Sequence, residues 1–279
     1  MKTAILAWWM LSAAYAAPDT TVELRRGDRV EVARLSGEIV LEAWGRSGME
    51  VAGEPAGLRV SRSGNRVRVV PGDPKSRGLD VRARVRLPAW VEVEIQGNTL
   101  DVTASGLRGG ITVRNVSGDI RLRDVEGRVD LLSQEGEIEV MGVRGHVSAL
   151  SRGERVRLRD VNGAVEVESG SDDIILENVV SSSLRAQTLD GDLYFEGPMV
   201  AGGTYSFSVH DGDAVLVLPR DVGAEVNVAT FDGEFTSDFP VLLQGYYGGG
   251  AMRFTLGDGR AEVEVQVFDG EITLREAGR

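Results

Sequence analysis

Acidic residues at Asp-Gly turns are the side chains of this sequence whose type and spacing could bind a metal ion. Asp190, Asp211 and Asp232 are spaced by 21 residues, and a glycine follows each of them. If the turns stack, the three carboxylates lie one above another, about 5 Å apart, which is the spacing of neighbouring strands. Because like charges at that spacing repel, Ca²⁺ held by carboxylate oxygens would stabilise the row. The alternative is a row of solvated turns, since Asp and Gly are both common turn residues.

The same turns carry pairs of carboxylates that could act as acid and base on a glycosidic bond. These pairs are Asp172/Asp173, Asp190/Asp192 and Asp211/Asp213. Each pair occupies a repeated position, whereas a catalytic pair should interrupt the repeat. The chain has two histidines, His146 and His210, and no cysteine, which leaves few other candidate bases or nucleophiles. We therefore expect no enzymatic activity and no cofactor. The alternative is a polysaccharide-active enzyme that uses these carboxylates.

Arginines that recur on one outward strand face could bind an anionic partner. They are Arg121, Arg123, Arg157 and Arg159. A row of guanidinium groups would bind anionic glycans or the phosphates of lipopolysaccharide. The same arginines would equally pair with Glu137 and Glu139 on the intervening coil, as cross-strand neighbours. We prefer the interpretation as ion pairs.

Two adjacent tyrosines are the best local candidates for contact with a partner. Tyr246 and Tyr247 lie in the glycine-rich segment GYYGGG. Tyrosine is common at recognition surfaces because its ring is apolar and its hydroxyl forms hydrogen bonds. The alternative is that the two rings fold over an open end of the structure as a plug.

The elements that position these residues follow from a nine-residue repeat. Gly118, Gly127 and Gly136 are spaced by nine, and each is followed by one polar residue and an alternating apolar–polar–apolar triplet. Such alternation predicts short strands, and glycine favours the strained corners between them. Alternate repeats end differently, so the unit has about 18 residues and lengthens to about 21 after residue 190. A unit this short cannot fold alone and must stack on its neighbours. We therefore predict an all-β, single-domain β-solenoid with coils of 18–21 residues.

The ends of the chain set the domain boundaries. Residues 1–16 contain an apolar run that stops at the small-residue pattern AYA, which is typical of a cleaved signal peptide. Residues 17–279 form the solenoid, in which we expect capping coils over 17–97 and regular coils over 98–279. No further segment has the length and hydrophobicity of a transmembrane helix, so we expect none after cleavage.

The distribution of charge and the lack of cysteine exclude some classes of partner and of covalent modification. Residues 1–162 carry 25 Lys and Arg against 22 Asp and Glu, whereas residues 163–279 carry 6 against 21, which gives +3 and −15. The acidic half argues against nucleic acid as a partner. The absence of cysteine from the sequence excludes disulfides and a lipid anchor on a cysteine.

The order of short motifs along the chain resembles that of a known family. The motifs are SGDIRL, VRLPAWVEVEIQGNTLDVT, AVLVLP and a GGG…DGEITL ending. Over residues 20–276 the chain is similar to the bacterial "putative adhesin" family with a DUF4097-type β-solenoid domain. The resemblance implies an exported protein that is periplasmic, cell-surface or secreted, and it supplies no catalytic residues. We expect a binding or scaffold protein of the cell envelope, with an envelope glycan or protein as partner. Self-association through the ends or edges of the solenoid is a further possibility.

Overall fold

The computed structural model describes residues 20–54, 57–73, 79–241, 245–247 and 251–278, with only the backbone described for Leu79 and residues 245–247. These ranges contain strands, turns and bends but no helix, which confirms the predicted all-β class. Within them, therefore, no helix has the length and apolar character needed to cross a membrane. The predicted signal peptide, residues 1–16, lies outside the described residues.

Twenty-two strands follow one another along the described chain. The first eleven are β1 (Thr20–Glu23), β2 (Arg29–Trp44), β3 (Gly48–Glu54), β4 (Leu58–Ser63), β5 (Arg66–Pro71), β6 (Leu79–Pro88), β7 (Glu92–Ser105), β8 (Ile111–Ser117), β9 (Ile120–Glu135), β10 (Ile138–Ser151) and β11 (Val156–Asn162). The others are β12 (Val165–Ser169), β13 (Ile174–Asp190), β14 (Leu193–Glu196), β15 (Met199–Asp211), β16 (Ala214–Leu218), β17 (Ala224–Asp232), β18 (Phe235–Ser237), β19 (Gly245–Tyr247), β20 (Ala251–Leu256), β21 (Ala261–Asp269) and β22 (Ile272–Glu276).

The strands form two faces of a solenoid-like ladder. Long strands such as β9 bend midway and contribute one half to each face. The first face has the spatial order β4, β5, β2, β7, β8, β9, β10, β12, β13, β15, β21, β17, β20, β19. The second has the order β1, β3, β6, β2, β7, β9, β10, β11, β13, β14, β16, β22, β18. The core lies between the two faces.

In-register parallel pairing repeats the same environment at each rung. Ile138 pairs with Ile120 on one side and with Val156 on the other. All three side chains are buried, and the polar residue that follows each of them along its strand faces outward. A single extra residue enters β13 between Val180 and Leu184, as the sequence predicts near Ser181, because the offset to the preceding rung rises there from 18 to 19 residues. Stacking therefore converts a sequence repeat into continuous rows of like residues.

The last coils are not stacked in sequence order, which corrects the expectation of consecutive 21-residue coils. β20 runs antiparallel to β17, so the chain turns back after residue 237. β21 then pairs with β15 on one side and with β17 on the other, and β22 likewise lies between β16 and β18. The C-terminal strands are thus inserted between two earlier coils. The physical reason is the antiparallel strand β20. It returns the chain to the side of the ladder where β17 begins, so β21 can then run parallel to both β15 and β17.

The N-terminal end of the ladder is built from antiparallel pairs. β4 pairs with β5 on one face, and β1 pairs with β3 on the other. The proposed division at residue 97 falls within β7, which pairs with β2 on both sides of that point. Buried Asp28 accepts a hydrogen bond from the backbone amide of Arg25 at 2.7 Å and forms an ion pair with Arg62 at 2.8 Å. This carboxylate holds the loop before β2 against the β4–β5 hairpin.

Substitution of a corner glycine should destabilise the ladder. Gly212 has a φ of +134°, and a Cβ atom there would lie 2.5 Å from the carbonyl oxygen of Gly191 on the previous rung. We expect Gly212→Ala to lower the free energy of unfolding by at least about 2 kcal/mol, from backbone strain and the clash together. Gly45→Ala is the matched control, because nothing lies within 4 Å of its Cβ position. Equal urea midpoints for the two variants would contradict this explanation of the glycine row.

The Asp28 ion pair predicts a pH-dependent contribution to stability. Burial alone raises the pKa of Asp28, but the Arg25 amide and Arg62 outweigh it and hold the pKa below its usual value. A lowered folded-state pKa means that the carboxylate stabilises the fold above about pH 4, and that this stabilisation is lost as the pH falls. Asp28→Asn should cost about 1–2 kcal/mol at pH 7. Urea unfolding should show that cost shrinking below pH 4, whereas exposed Asp221→Asn should show little cost at either pH. A cost independent of pH would refute the assignment.

Candidate functional site

A solvent-exposed row of aromatic rings lies at one corner of the C-terminal coils. His210, Phe268 and Phe231 each come one position before the aspartate of an Asp-Gly turn, on β15, β21 and β17. The His210 and Phe268 rings stack with centroids 4.9 Å apart, and the Phe268 and Phe231 rings are parallel within 2° at 4.8 Å. Phe231 is 77% exposed and Phe268 is 49% exposed. We call His210, Phe268 and Phe231 the aromatic row.

The row is continued on its other end by Leu189, which is 64% exposed at the equivalent position of β13. Three of the four large apolar side chains that are exposed in the described chain therefore lie at this corner; the fourth is Val116 on β8. Exposed apolar groups are normally scattered, so a cluster of this kind indicates a binding surface. The ladder holds the rings at fixed spacing, because each is carried by a hydrogen-bonded strand.

A shallow polar shelf adjoins the aromatic row. Two residues before each ring, Ser208, Gln266 and Ala229 face outward on the same three strands, and they pair across the rungs. The aromatic row and this shelf line a depression of about 330 Å³. Ala229 and Gln266 also border a second depression of about 290 Å³ that reaches Arg253 on β20. Aromatic rings and hydrogen-bonding groups thus lie side by side on one rigid surface.

The acidic residues after the turn glycines have a structural role. Asp192 accepts a hydrogen bond from the backbone amide of Asp213 at 2.9 Å, and Asp213 accepts one from the amide of Glu271 at 2.8 Å. Asp173 accepts one from the amide of Asp192 in the same way. Each carboxylate thereby satisfies a corner amide of the next rung that the strand ladder leaves unpaired. This use explains the carboxylate pairs as turn chemistry.

The aspartates before the glycines form a row whose order differs from the predicted one. Asp190 pairs with Asp211, Asp211 pairs with Asp269, and Asp269 pairs with Asp232. Asp211 and Asp232 are therefore separated by a rung, and the expected consecutive stack of Asp190, Asp211 and Asp232 is wrong. The insertion of β21 is the cause. Among the described residues, no group of three or more His, Cys, Asp or Glu side chains is arranged to hold a metal ion.

The arginine rows are partly used in ion pairs. Arg121 contacts Asp119 at 2.6 Å and Glu139 at 3.9 Å. Arg159 donates two hydrogen bonds to Glu177, at 2.9 and 2.6 Å, and this contact raises the pKa of its guanidinium group. The predicted ion pair of Arg121 with Glu139 is confirmed, whereas Arg159 pairs with Glu177, which was not an expected partner.

The other two arginines do not show the expected pairs. Arg157 is the register neighbour of Glu139, but within the described residues the two form no ion pair. Its Nε is buried and has no hydrogen-bond partner there. Arg123 is exposed and pairs in register with Met141, an apolar residue. The four arginines occupy alternate rungs of one face, with Glu139 between Arg121 and Arg157 and Met141 between Arg123 and Arg159.

The predicted tyrosine site falls at the edge of the first face. Tyr246 and Tyr247 lie on β19, whose backbone pairs with β20, which in turn pairs with the strand that carries Phe231. Their side chains lie outside the described part of the structure. The backbone thus places this candidate at the same end of the ladder as the aromatic row.

A groove on another corner crosses four coils but lacks convergent groups. Asp124, Asp160 and Asn178 each have a φ between +53° and +55°, and Gly142 stands at the equivalent position between the two aspartates. The groove that they line has a volume of about 490 Å³. Asn178 donates a hydrogen bond to Asp160 at 2.5 Å. This hydrogen bond between neighbouring rungs stabilises a corner where both residues have positive φ.

Sequence analysis missed Phe231 and Phe268, although a signal was present. In FDGE at 231–234 and again at 268–271, the phenylalanine directly precedes the turn and breaks the alternation of its strand. Thr230 and Val267, the preceding residues, point inward and are buried. A large apolar side chain immediately after an inward-facing residue must therefore face solvent.

The structural role of the acidic row can be tested at one corner. Asp213→Ala should lower the free energy of unfolding by about 1–2 kcal/mol, because the amide of Glu271 loses its acceptor. Asp213→Asn keeps a side-chain oxygen and should cost less. Asp211→Ala removes an exposed carboxylate from a row of like charges and should be neutral or slightly stabilising. Chemical denaturation of the three variants measures this ranking, and a larger loss for Asp211→Ala than for Asp213→Ala would reverse it.

The chain was compared with known proteins. No curated protein matches it. A structure described as a "putative cell adhesion protein" from Clostridium sporogenes has 10% identity, covers 93% of this chain and 100% of its own, and has a TM-score of 0.22. A "putative adhesin" from Bacteroides fragilis has 10% identity, covers 92% and 95%, and has a TM-score of 0.39. At these TM-scores the likenesses support no conclusion about the site.

A family model matches the second half of the chain. The model is described as Toastrack DUF4097, and it matches residues 153–275. This segment contains the aromatic row, the polar shelf and the inserted strands β21 and β22. The resemblance seen in the sequence is thereby confirmed over residues 153–275, which are similar to the Toastrack DUF4097 family.

Proposed function

We propose that this protein is an exported, non-enzymatic binding or scaffold protein of the bacterial cell envelope, with an adhesin-like role, and that it contacts its partner through the aromatic row. The observation that carries the proposal is the stack of Phe231, Phe268 and His210, which leaves apolar rings in water on a rigid ladder. Stacking across the rungs stabilises the ladder, but it leaves Phe231 and Phe268 largely exposed to water, and a partner that covers them accounts for such a cluster of exposed apolar side chains.

The arrangement of the acidic side chains supports a non-enzymatic function. Asp192 and Asp213 are engaged by backbone amides of the next rung. A general acid or base needs a carboxyl group that is free to exchange a proton with the substrate. The other carboxylate of each of these two pairs, Asp190 or Asp211, is exposed at the turn rather than enclosed in a cleft. These features favour binding over polysaccharide cleavage.

Envelope binding can be tested with the purified mature chain and isolated envelopes of a bacterium that encodes it. Wild type should be retained by the envelopes, and Phe231→Ala/Phe268→Ala should lose most of the retention. Val116→Ala is the matched control, because among the described residues Val116 is the large exposed apolar side chain that lies away from both the aromatic row and Leu189. The variant Tyr246→Ala/Tyr247→Ala tests separately whether the tyrosines of the edge strand β19 contribute to retention.

Two outcomes would overturn the proposal. One is the absence of retention of the wild type, together with a cytoplasmic location on fractionation of the native cells. The other is release of reducing sugar ends from envelope polysaccharide by the purified protein, which would establish the enzymatic alternative.

A further inference from the structure

We propose that the bond between Asp232 and Gly233 is a site of spontaneous covalent modification, at which the aspartate converts to isoaspartate through a cyclic succinimide. The reaction needs no enzyme or cofactor, because both reacting groups belong to the chain itself. The inference does not depend on the proposed function, although the site directly follows Phe231 of the aromatic row.

Succinimide formation joins the side chain of an aspartate to the backbone of the next residue. The amide nitrogen of Gly233 attacks the side-chain carboxyl carbon of Asp232. A nitrogen–carbon bond forms, and the carboxyl hydroxyl leaves together with the amide hydrogen as water. A water molecule then opens the ring. Opening at the side-chain carbonyl restores aspartate, whereas opening at the main-chain carbonyl gives isoaspartate. Glycine favours the attack because it has no Cβ atom to obstruct it.

Five of the six bonds in this chain that could react in this way are protected by the fold. The six bonds follow Asn162, Asp190, Asp211, Asp232, Asp258 and Asp269. In five of them the glycine amide donates a backbone hydrogen bond of 2.9–3.1 Å, from Gly163 to Val180, Gly191 to Asp211, Gly212 to Asp269, Gly259 to Leu256 and Gly270 to Asp232. An amide held by a backbone carbonyl attacks its neighbouring side chain only after that bond has opened.

Gly233 is the exception because it lies on the last rung of its corner. Along the row of Asp-Gly turns, each glycine amide donates to the aspartate carbonyl of the following rung, and the last such bond runs from Gly270 to Asp232. β20 covers β17 only as far as Ala229, so no strand of the described structure lies beyond Asp232. Within the described ranges, the amide of Gly233 therefore has no hydrogen-bond partner.

The same tetrapeptide occurs at a protected corner, and this isolates the effect of the missing hydrogen bond. FDGE spans residues 231–234 and residues 268–271. Asp232 and Asp269 are both exposed, and neither carboxylate has a hydrogen bond or ion pair in the part of the chain that the structure describes. The two corners differ at the glycine: Gly270 is half-buried and its amide is bonded, whereas Gly233 is exposed and its amide is not.

Conversion would change the corner beside the most exposed ring of the aromatic row. In isoaspartate the chain runs through the side-chain carbons, so the backbone between Phe231 and Gly233 gains one methylene group. Gly233 packs closely on the carbonyl group of Gly270, which leaves no room for an added atom on the ladder side. The longer chain must therefore bulge outward, next to Phe231.

Peptide mapping of the aged protein tests the inference. The purified chain would be kept folded at mildly acidic pH for weeks, and its peptides would be analysed by electron-transfer fragmentation, which distinguishes isoaspartate from aspartate. We expect succinimide and isoaspartate to accumulate at Asp232 at least about 5-fold faster than at Asp269, because attack at Asp269 first requires a ladder hydrogen bond to open. A parallel sample in urea should show similar rates at the two sites, since the unfolded FDGE segments are equivalent.

Two variants test the chemistry at the site itself. Asp232→Glu should stop the reaction at this corner, because glutamate would have to form a larger ring. Asp232→Asn should accelerate it, with ammonia rather than water as the leaving group. Thermal unfolding of each variant establishes that the fold is retained.

Three outcomes would overturn the inference. The first is an equal rate at Asp232 and Asp269 in the folded chain. The second is a faster rate at any of the other Asp-Gly or Asn-Gly bonds than at Asp232. The third is a difference between the two FDGE sites that persists in urea, because local sequence rather than the end of the ladder would then be responsible.

Discussion

Parallel, in-register pairing of successive rungs is the constraint on which the rest of this structure depends. Strands pair at about 4.8 Å only if nothing protrudes between the backbones at the corners. Glycine meets this requirement at Gly191 and Gly212, where any Cβ atom would enter the carbonyl group of the rung beside it. The carboxylates of Asp192 and Asp213 then satisfy the corner amides. Backbone geometry and side-chain hydrogen bonds thus fix the same register.

A fixed register gives each solvent-facing position a row of its own, and this produces the surface that we propose for binding. Inward positions are occupied by aliphatic side chains that pack in the core. Turn positions are occupied by glycine and by acidic residues. The position before each turn is under neither constraint, and there the chain carries Leu189, His210, Phe268 and Phe231. The rings are ordered by strands that the core holds in place, so the surface is preorganised, and the binding that we propose would cost little conformational entropy.

Much of this architecture could be predicted from the sequence, and the reasons for the remainder are physical. The alternation and the glycine spacing predicted the strand class, and the charge pattern predicted the pairing of Arg121 with Glu139. The order of the last coils could not be predicted, because FDGE occurs at 231–234 and at 268–271. Either copy satisfies the local requirements of the position beside Asp211, and only the antiparallel return through β20 decides between them. The aromatic row depends on that order, so it was missed as a site.

The position of β21 between β15 and β17 is the central claim, and engineered disulfides test it most directly because the native chain has no cysteine. Outward-facing Ser206, Glu264 and Asn227 lie side by side in that order. The account predicts that Ser206→Cys/Glu264→Cys and Glu264→Cys/Asn227→Cys oxidise readily. It also predicts that Ser206→Cys/Asn227→Cys does not, since its Cα atoms are two rungs apart, about 10 Å, beyond the reach of a disulfide. Efficient oxidation of the Ser206/Asn227 pair alone, as consecutive coils would require, would contradict the account.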